Sequence, residues 1–236
     1  MKKAISLLLA MIVILSLAAS SFADGSSVPA IPTFPSAKEV DIDAVLSGNR
    51  LGSLLNRFGN IEMRYTLDQE QPQGRYSFDY VDTYYLIDGS YYMYTIVNDK
   101  VYGGTTESFY EYDPDNSYIY YRFPGGPDKQ EYPAEYFAAS LDWPVVPYAG
   151  SHGTTEVISA EEAGGLYVLT YVCRYPDGAM DGPVTLYVDP ASSLIAAYKF
   201  SGSADNAFGH VNYVYDARLE YGVDTVPNYS IRDEAA

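Results

Sequence analysis

The strongest helical pattern in the chain lies close to residue 50. Apolar side chains follow the i, i+3, i+4, i+7 spacing that places them on one face of a helix, at Leu51, Leu54, Leu55 and Phe58. Asn49 precedes this pattern as a candidate N-cap, and Gly59 follows it as a candidate stop. A shorter helical turn is predicted just before it, at 41–46.

After Gly59 the period of the pattern changes to two, which is typical of strands with one buried face. Apolar and aromatic residues alternate with polar ones at Ile61, Met63, Tyr65 and Leu67, and again at Tyr76, Phe78 and Tyr80. Turn residues such as Asp88-Gly89 and Asn98-Asp99 then recur at short intervals. Because the turns leave no room for crossover helices, this region predicts an antiparallel meander.

The meander is interrupted once, between Phe123 and Pro147. This stretch contains five prolines and a short helical candidate at 133–141, with Trp143 just after it. Alternating strands then resume and continue to Tyr221, where the alternation is clearest. We see no internal repeat and no linker, so residues 38–236 are predicted to form a single domain of mainly β (α+β) class.

The N-terminus has the organisation of an export signal. Lys2 and Lys3 precede an apolar run at 4–19, which is short for a membrane span. Small residues in 21–23 then offer a cleavage site before Asp24. Residues 1–23 are therefore predicted to be a cleaved signal peptide, and an uncleaved anchor is the alternative.

The segment that follows the signal is rich in Ser, Pro and Ala and has no period, so 24–37 is predicted to be a disordered leader. No later apolar stretch is long enough to cross a bilayer as a helix. We therefore expect a secreted or extracytoplasmic protein, in the cell envelope or periplasm, without a stable membrane anchor.

Charge and tyrosine content narrow the classes of partner. The formal net charge is −17, which opposes binding to nucleic acids and to anionic lipid surfaces. The chain contains 26 tyrosines but one tryptophan. Tyrosine fits half-buried pleated surfaces, where its ring packs and its hydroxyl reaches water. The tyrosine content thus favours β-sheet first, and contact with sugars or proteins second.

The sequence shows no recognisable catalytic or metal-binding motif. Neither His152 nor His210 has metal-ligand spacing, and Cys173 alone cannot complete a zinc site. Cys173 is predicted to be a small buried hydrophobe, with a reactive thiol as the alternative. We predict no catalytic residue, no metal and no cofactor. Two hypotheses stay open because carboxylates are abundant: a paired-carboxylate hydrolase, and calcium at the turn that contains Asp113.

The order of these elements resembles that of the LolA/LolB-like lipoprotein-carrier superfamily. The stretch LGSLLNRF at 51–58, followed by IEMRY at 61–65, resembles the first helix of that family entering its first strand. Residues 186–199 resemble its late hairpin, and 221–227 its closing strand. The resemblance implies a strongly curved antiparallel sheet, or incomplete barrel, closed by an N-terminal helix and a short mid-chain helix. It also implies a hydrophobic cavity that carries acyl chains.

These patterns lead to one functional hypothesis and its alternatives. The protein is predicted to be a non-enzymatic binding protein that holds an apolar or amphipathic, lipid-like ligand in the concavity of the sheet. The candidate ligand-binding residues are Met63, Tyr65, Phe78, Tyr80 and Trp143. The alternative for these residues is plain core, which is the usual role of an alternating strand face against a helix. A structural or adhesive protein with tyrosine-rich surfaces for carbohydrate or protein contact is the alternative function.

Overall fold

The alternating pattern of the sequence forms one antiparallel sheet in the computed structural model. The structure describes residues 31–87, 90–113, 115–123, 126–142, 144–147, 153–176, 180–206 and 209–223. Eleven strands lie within these ranges: β1 (Asn60–Gln71), β2 (Gly74–Ile87), β3 (Ser90–Asp99), β4 (Thr105–Asp113), β5 (Tyr118–Phe123), β6 (Gly126–Glu131), β7 (Thr154–Ala163), β8 (Leu166–Arg174), β9 (Met180–Val188), β10 (Ile195–Asn206) and β11 (Gly209–Tyr221).

Two meanders meet in the middle of the sheet. The strand order is β6-β5-β4-β3-β2-β1-β11-β10-β9-β8-β7, so the first and last strands of the chain pair with each other. Tyr65 of β1 lies opposite Tyr80 on β2 and opposite Ala217 on β11. We call β1–β6 the N-terminal half and β7–β11 the C-terminal half. The outer strands β6 and β7 do not pair, so the predicted mainly β fold with an unclosed antiparallel sheet is confirmed.

The helices pack on one face of the sheet, which we call the inner face. A short 3-10 turn (Ala37–Glu39) precedes α1 (Ile42–Gly48) and α2 (Leu51–Phe58), and α3 (Ala134–Leu141) follows β6. Asp41 caps α1, since its carboxylate accepts hydrogen bonds from the N–H groups of Asp43 and Ala44. Within the described residues, no helix is long and apolar enough to cross a membrane.

Both predicted ends of α2 can be compared with the structure. Gly59 ends the helix as predicted: its φ is 77° and its N–H donates to Leu55 O at 2.8 Å. The N-cap prediction for Asn49 is wrong, because Arg50 occupies that position. Asn49 is instead fully buried, and its amide donates to Val45 O at 2.8 Å and to Ser193 O at 3.0 Å. Asn49 thus joins the helices to the β9–β10 hairpin.

The main core lies between α1 and the inner face of the C-terminal half. Its fully buried aliphatic side chains come from α1 and from β8, β9 and β10, and they include Val45, Leu46, Leu169, Val184, Leu186, Val188 and Ile195. Cys173 is buried in the same cluster, as predicted. Leu54 and Leu55 of α2 form a second cluster with Ile61. The apolar faces of both N-terminal helices therefore pack on the inner face of the sheet, near its centre and in its C-terminal half.

The structure corrects the last part of the predicted leader, whose residues 24–30 lie outside the described ranges. Residues 31–37 pack on the domain: Ile31 is buried, and a Cβ on Gly48 would come within 2.7 Å of it. The backbone carbonyl of Phe34 accepts a hydrogen bond from the Tyr167 hydroxyl at 2.8 Å. The composition of this stretch did not reveal these contacts, because they depend on distant residues.

The two outer strands carry features that discourage pairing with other sheets. All six residues of β6 are exposed, and they include Pro127, Asp128 and Lys129. Most of β7 is also exposed, and it carries several glutamates. Proline and charge at an exposed edge oppose edge-to-edge association. The sequence did not predict β6, because it lies in the proline-rich interruption.

Candidate functional site

The structure brings together most of the residues predicted to bind a ligand. Tyr65 stacks on Tyr80 with ring centroids 4.6 Å apart and an interplanar angle of 2°. Phe78 meets the same Tyr80 ring edge-on at 6.1 Å. Met63 lies two residues before Tyr65, and its Sδ accepts a hydrogen bond from the Tyr198 hydroxyl at 3.9 Å. These residues share the inner face near the centre of the sheet.

The packing of Tyr65 differs from that of its neighbours. Tyr65 is 6% exposed and also contacts Tyr215, at a centroid distance of 5.9 Å. Met63, Phe78 and Tyr80 are half-buried. Tyr65 therefore belongs to the core, and the other side chains form its margin. Trp143, the fifth predicted residue, lies outside the described residues.

A row of buried polar residues crosses the inner face of the N-terminal half. Asp82 on β2 lies opposite Thr95 on β3, and Thr95 lies opposite Ser108 on β4. These three side chains are 3%, 5% and 7% exposed, respectively. Hydrophobic periodicity could not single them out, because the alternation predicts apolar residues at these positions. The one signal in the sequence was Asp82 itself, because it is a polar residue on the same face of its strand as Tyr80 and Tyr84.

Asp82 lacks a full set of hydrogen bonds. Its Oδ1 atom is buried and makes no hydrogen bond to any described residue, and the same holds for Oγ1 of Thr95. The hydroxyls of Thr95 and Tyr65 lie close enough to favour the charged form. Burial outweighs them and raises the pKa of Asp82 from 3.8 to about 6. The carboxyl group thus changes charge near neutral pH, inside the protein.

Tyrosine side chains surround this carboxyl group. The negative charge of Asp82 raises the pKa of six tyrosines, after burial as the larger cause for each: Tyr65, Tyr80, Tyr84, Tyr110, Tyr198 and Tyr215. For Tyr80 the pKa reaches about 12. These hydroxyls therefore stay protonated at neutral pH, and they can act there as hydrogen-bond donors.

Helix α3 covers part of the N-terminal half without a buried residue of its own. Phe137 stacks on Tyr112 at a centroid distance of 3.8 Å and contacts Tyr91 at 5.0 Å. The first turn of the helix is exposed. The cover is therefore thin, and it contacts the sheet mainly through one aromatic side chain.

The C-terminal end of α3 is fixed to α2. Arg50 forms an ion pair with Asp142 at 2.5 Å. A Cβ on Gly52 would lie 3.1 Å from the Leu141 side chain, so the two helices approach closely. The backbone N–H of Val145 donates to Asn49 O at 3.2 Å. One end of α3 is thus anchored, whereas its other end is exposed.

Metal binding is the other kind of site that the sequence analysis considered. They contain no group of three or more His, Cys, Asp or Glu side chains placed to hold a metal ion. Asp113, considered above for calcium, instead closes its own turn by accepting from the N–H groups of Asp115 and Asn116. His152 lies outside the described residues.

The chain is similar in structure to several solved proteins. A DUF1329 family protein from Desulfovibrio piger has a TM-score of 0.29 at 10% identity, over 75% of this chain and 92% of that one. The Pseudomonas aeruginosa MucA/MucB complex gives a TM-score of 0.33 at 14% identity, over 75% of this chain and 58% of that one. A LolA superfamily protein from Nitrosomonas europaea gives 0.27 at 8% identity, over 80% of this chain and 96% of that one.

These similarities concern the fold alone. No protein-family model matches the sequence, and a search of curated proteins finds no match.

Proposed function

We propose that this protein is an exported, non-enzymatic binding protein that holds an apolar or amphipathic ligand against the inner face of β2–β5. One observation carries the proposal. This face presents half-buried aromatic rings, among them Tyr80, Tyr84 and Tyr110, and its covering helix α3 has no buried residue. Aromatic walls with a few polar groups are typical of pockets for small ligands.

The amphipathic character of the ligand follows from the chemistry of the wall. Rings and the Met93 side chain offer apolar contact, whereas the tyrosine hydroxyls and the buried polar row offer hydrogen bonds. A ligand with both a chain and a polar group satisfies both kinds of surface. The export signal in the sequence supports a role outside the cytoplasmic membrane.

Native mass spectrometry of gently purified exported protein tests the proposal directly. We expect a co-purified ligand, and after its removal we expect a fluorescent fatty-amine or fatty-acid probe to bind. Tyr110→Ala should weaken probe binding, because Tyr110 lies on the proposed wall. Tyr102→Ala is the matched control, since Tyr102 is 73% exposed in the β3–β4 turn. Absence of both ligand and probe binding would contradict the proposal.

A second candidate function is structural or adhesive contact through tyrosine surfaces. The outer face of the N-terminal half carries Tyr92, Tyr94 and Tyr120 around the buried Tyr85 and Phe109. Rings in such rows suit stacking on carbohydrate or protein. This function predicts that Tyr94→Ala reduces retention on polysaccharide or on cells, whereas Tyr110→Ala on the inner face does not.

A further inference from the structure

A buried carboxylate in the N-terminal half forms no ion pair with any described residue. Asp82 lies between Met63 on β1 and Thr95 on β3, in the middle of the inner face. Buried charged groups in proteins are ordinarily paired or bound to a ligand. No cation is among the groups that change the pKa of Asp82 within the described residues. The ion pairs among the described residues connect side chains other than Asp82.

The surroundings of Asp82 are suited to one class of partner. Six tyrosines lie within its electrostatic influence, as described above. The faces of aromatic rings attract cations, and the attraction strengthens where water is excluded. A carboxylate with tyrosines on its own strand and on other strands of the sheet thus offers both a counter-charge and aromatic surface to an organic cation.

We propose that Asp82, Thr95 and the tyrosines around them bind the ammonium group of a cationic amphiphile, whose apolar chain lies along the half-buried rings of β2–β5. The inference rests on the proposed function and specifies its ligand. Oδ1 of Asp82 and Oγ1 of Thr95 have no hydrogen-bond partner among the described residues, and the N–H groups of an amine donate to them. The aromatic rings contact the methylene groups of the amine.

Other ligands fit these groups less well. Calcium requires six to eight oxygen ligands, and one carboxylate with two hydroxyls offers too few. An anionic head group would lie beside the Asp82 carboxylate and be repelled by it. A neutral head group would leave the charge of Asp82 without a counter-ion. An ammonium group removes all three difficulties.

Calorimetric titration with three detergents that share a dodecyl chain tests the inference. The probes are dodecylammonium, dodecyl sulfate and dodecyl maltoside, each below its micelle concentration and at about pH 7.5. We expect the wild type to bind the ammonium probe about tenfold or more tightly than the maltoside. Asp82→Asn should remove this preference while the maltoside affinity stays within about twofold.

The matched control is Asp79→Asn, which removes a charge from the outer face of the same strand. Asp79 is half-buried, with 47% of its side chain exposed, and it accepts hydrogen bonds from Thr66 and Lys100. If overall acidity attracts the probe, both variants lower its affinity equally, and the inference is wrong. If Asp82→Asn alone loses the preference, the inference is supported.

A second measurement uses the wild type alone, so it tests the inference even if the Asp82→Asn variant does not fold. Between about pH 7.5 and pH 5 the Asp82 carboxyl becomes largely protonated, because its pKa is about 6. The tyrosines that face it stay neutral throughout, because burial keeps the pKa of each above its ordinary value. The ammonium preference should therefore disappear at pH 5, and its persistence would overturn the inference.

Two remaining outcomes separate this inference from the proposed function. Equal binding of all three detergents by the wild type overturns the ammonium site and leaves the binding function intact. Binding of none of them overturns both. Folding of each variant is checked by near-ultraviolet circular dichroism, which reports the packing of the tyrosines.

Discussion

The two halves of the sheet are built from similar antiparallel hairpins but bury different side chains on their inner faces. In the C-terminal half, Leu169, Val184 and Leu186 are at most 1% exposed. On β2–β5 the buried inner-face side chains are Asp82, Thr95, Ser108 and Tyr112, and the others are half-buried or exposed. Similar hairpins therefore do not mean similar packing. The inner face of the C-terminal half is part of a filled core, whereas most of the inner face of β2–β5 is only half-buried.

The tyrosines of the two halves differ in the same way. In the C-terminal half three tyrosine hydroxyls, those of Tyr167, Tyr171 and Tyr221, donate to backbone carbonyls; Tyr171 donates to Pro147 O and Tyr221 to Ile195 O, both at 2.6 Å. These bonds fix the rings to the surrounding chain. On the inner face of the N-terminal half, the hydroxyl of Tyr110 interacts with the Ser108 side chain. The hydroxyls of Tyr171 and Tyr221 are thus held by backbone carbonyls of the core, whereas Tyr110 belongs to the half-buried polar wall on β2–β5.

Matched leucine truncations should give the largest contrast between the halves. Leu186→Ala should lower the free energy of unfolding by about 2–5 kcal/mol, because it opens a cavity in a filled core. Leu86→Ala removes the same atoms from a half-buried position on β2 and should cost about 1 kcal/mol. Urea titration measures both values. Equal losses would show that the N-terminal half is packed as tightly as the other.

The buried carboxylate of the N-terminal half predicts that the stability of the protein depends on pH. The pKa of Asp82 is raised from 3.8 to about 6, so the folded state binds its proton more tightly than the unfolded state does. Its contribution to stability is therefore greatest below about pH 4 and is lost as pH rises to about 6, by about 3 kcal/mol in all.

Asp82→Asn should remove this loss. The difference in unfolding free energy between the variant and the wild type should shift in favour of the variant by about 3 kcal/mol between pH 4 and pH 7. Taking the difference cancels the titration of the other carboxylates. A difference that does not change with pH would mean that Asp82 is solvated or paired in the folded protein.

The thin cover of the N-terminal half predicts a smaller effect. Phe137→Ala removes the stacked contact between α3 and Tyr112 and should cost about 1–2 kcal/mol. Amide hydrogen exchange should rise locally in α3. Tyr136→Ala, on the same helix but 54% exposed, should leave both quantities nearly unchanged. Similar effects of the two variants would argue against docking through Phe137.

The smallest expected effect concerns the anchor between α3 and α2. The side chains of Arg50 and Asp142 are 35% and 27% exposed, so their ion pair is partly screened by water. A double-mutant cycle of Arg50→Met and Asp142→Asn should give a coupling energy of about 0.5–1 kcal/mol. High salt should reduce it. A coupling energy of zero would place the anchor in the Gly52–Leu141 contact instead.

Local sequence patterns predicted the elements well where one face of an element is apolar. The spacing from Leu51 to Phe58 gave the bounds of α2, and the alternation from Ile61 to Leu67 gave the inner face of β1. The same reasoning missed β6, which has no buried face and therefore no hydrophobic period. It also misassigned Asn49, because a polar residue before a helix is most often a cap.

The candidate site was predictable only in part. Alternation placed Met63, Tyr65, Phe78 and Tyr80 on one face, and they do lie together there. It could not separate Tyr65, which is core, from its half-buried neighbours, since burial depends on what the other strands and helices place above each ring. Asp82 was missed for a related reason: a single aspartate in a strand is ordinarily an exposed residue.

The sequence alone therefore determined the periods, the turns and the acidic, tyrosine-rich composition, because these depend on residues adjacent along the chain. Tertiary structure decided which strands meet, and so it paired β1 with β11 and aligned Asp82, Thr95 and Ser108 in one row. It also decided that α1 and α2 bury aliphatic side chains against the sheet, whereas α3 covers part of the N-terminal half without a buried residue of its own. Burial and pKa values depend on these long-range contacts, and so does the binding that we propose.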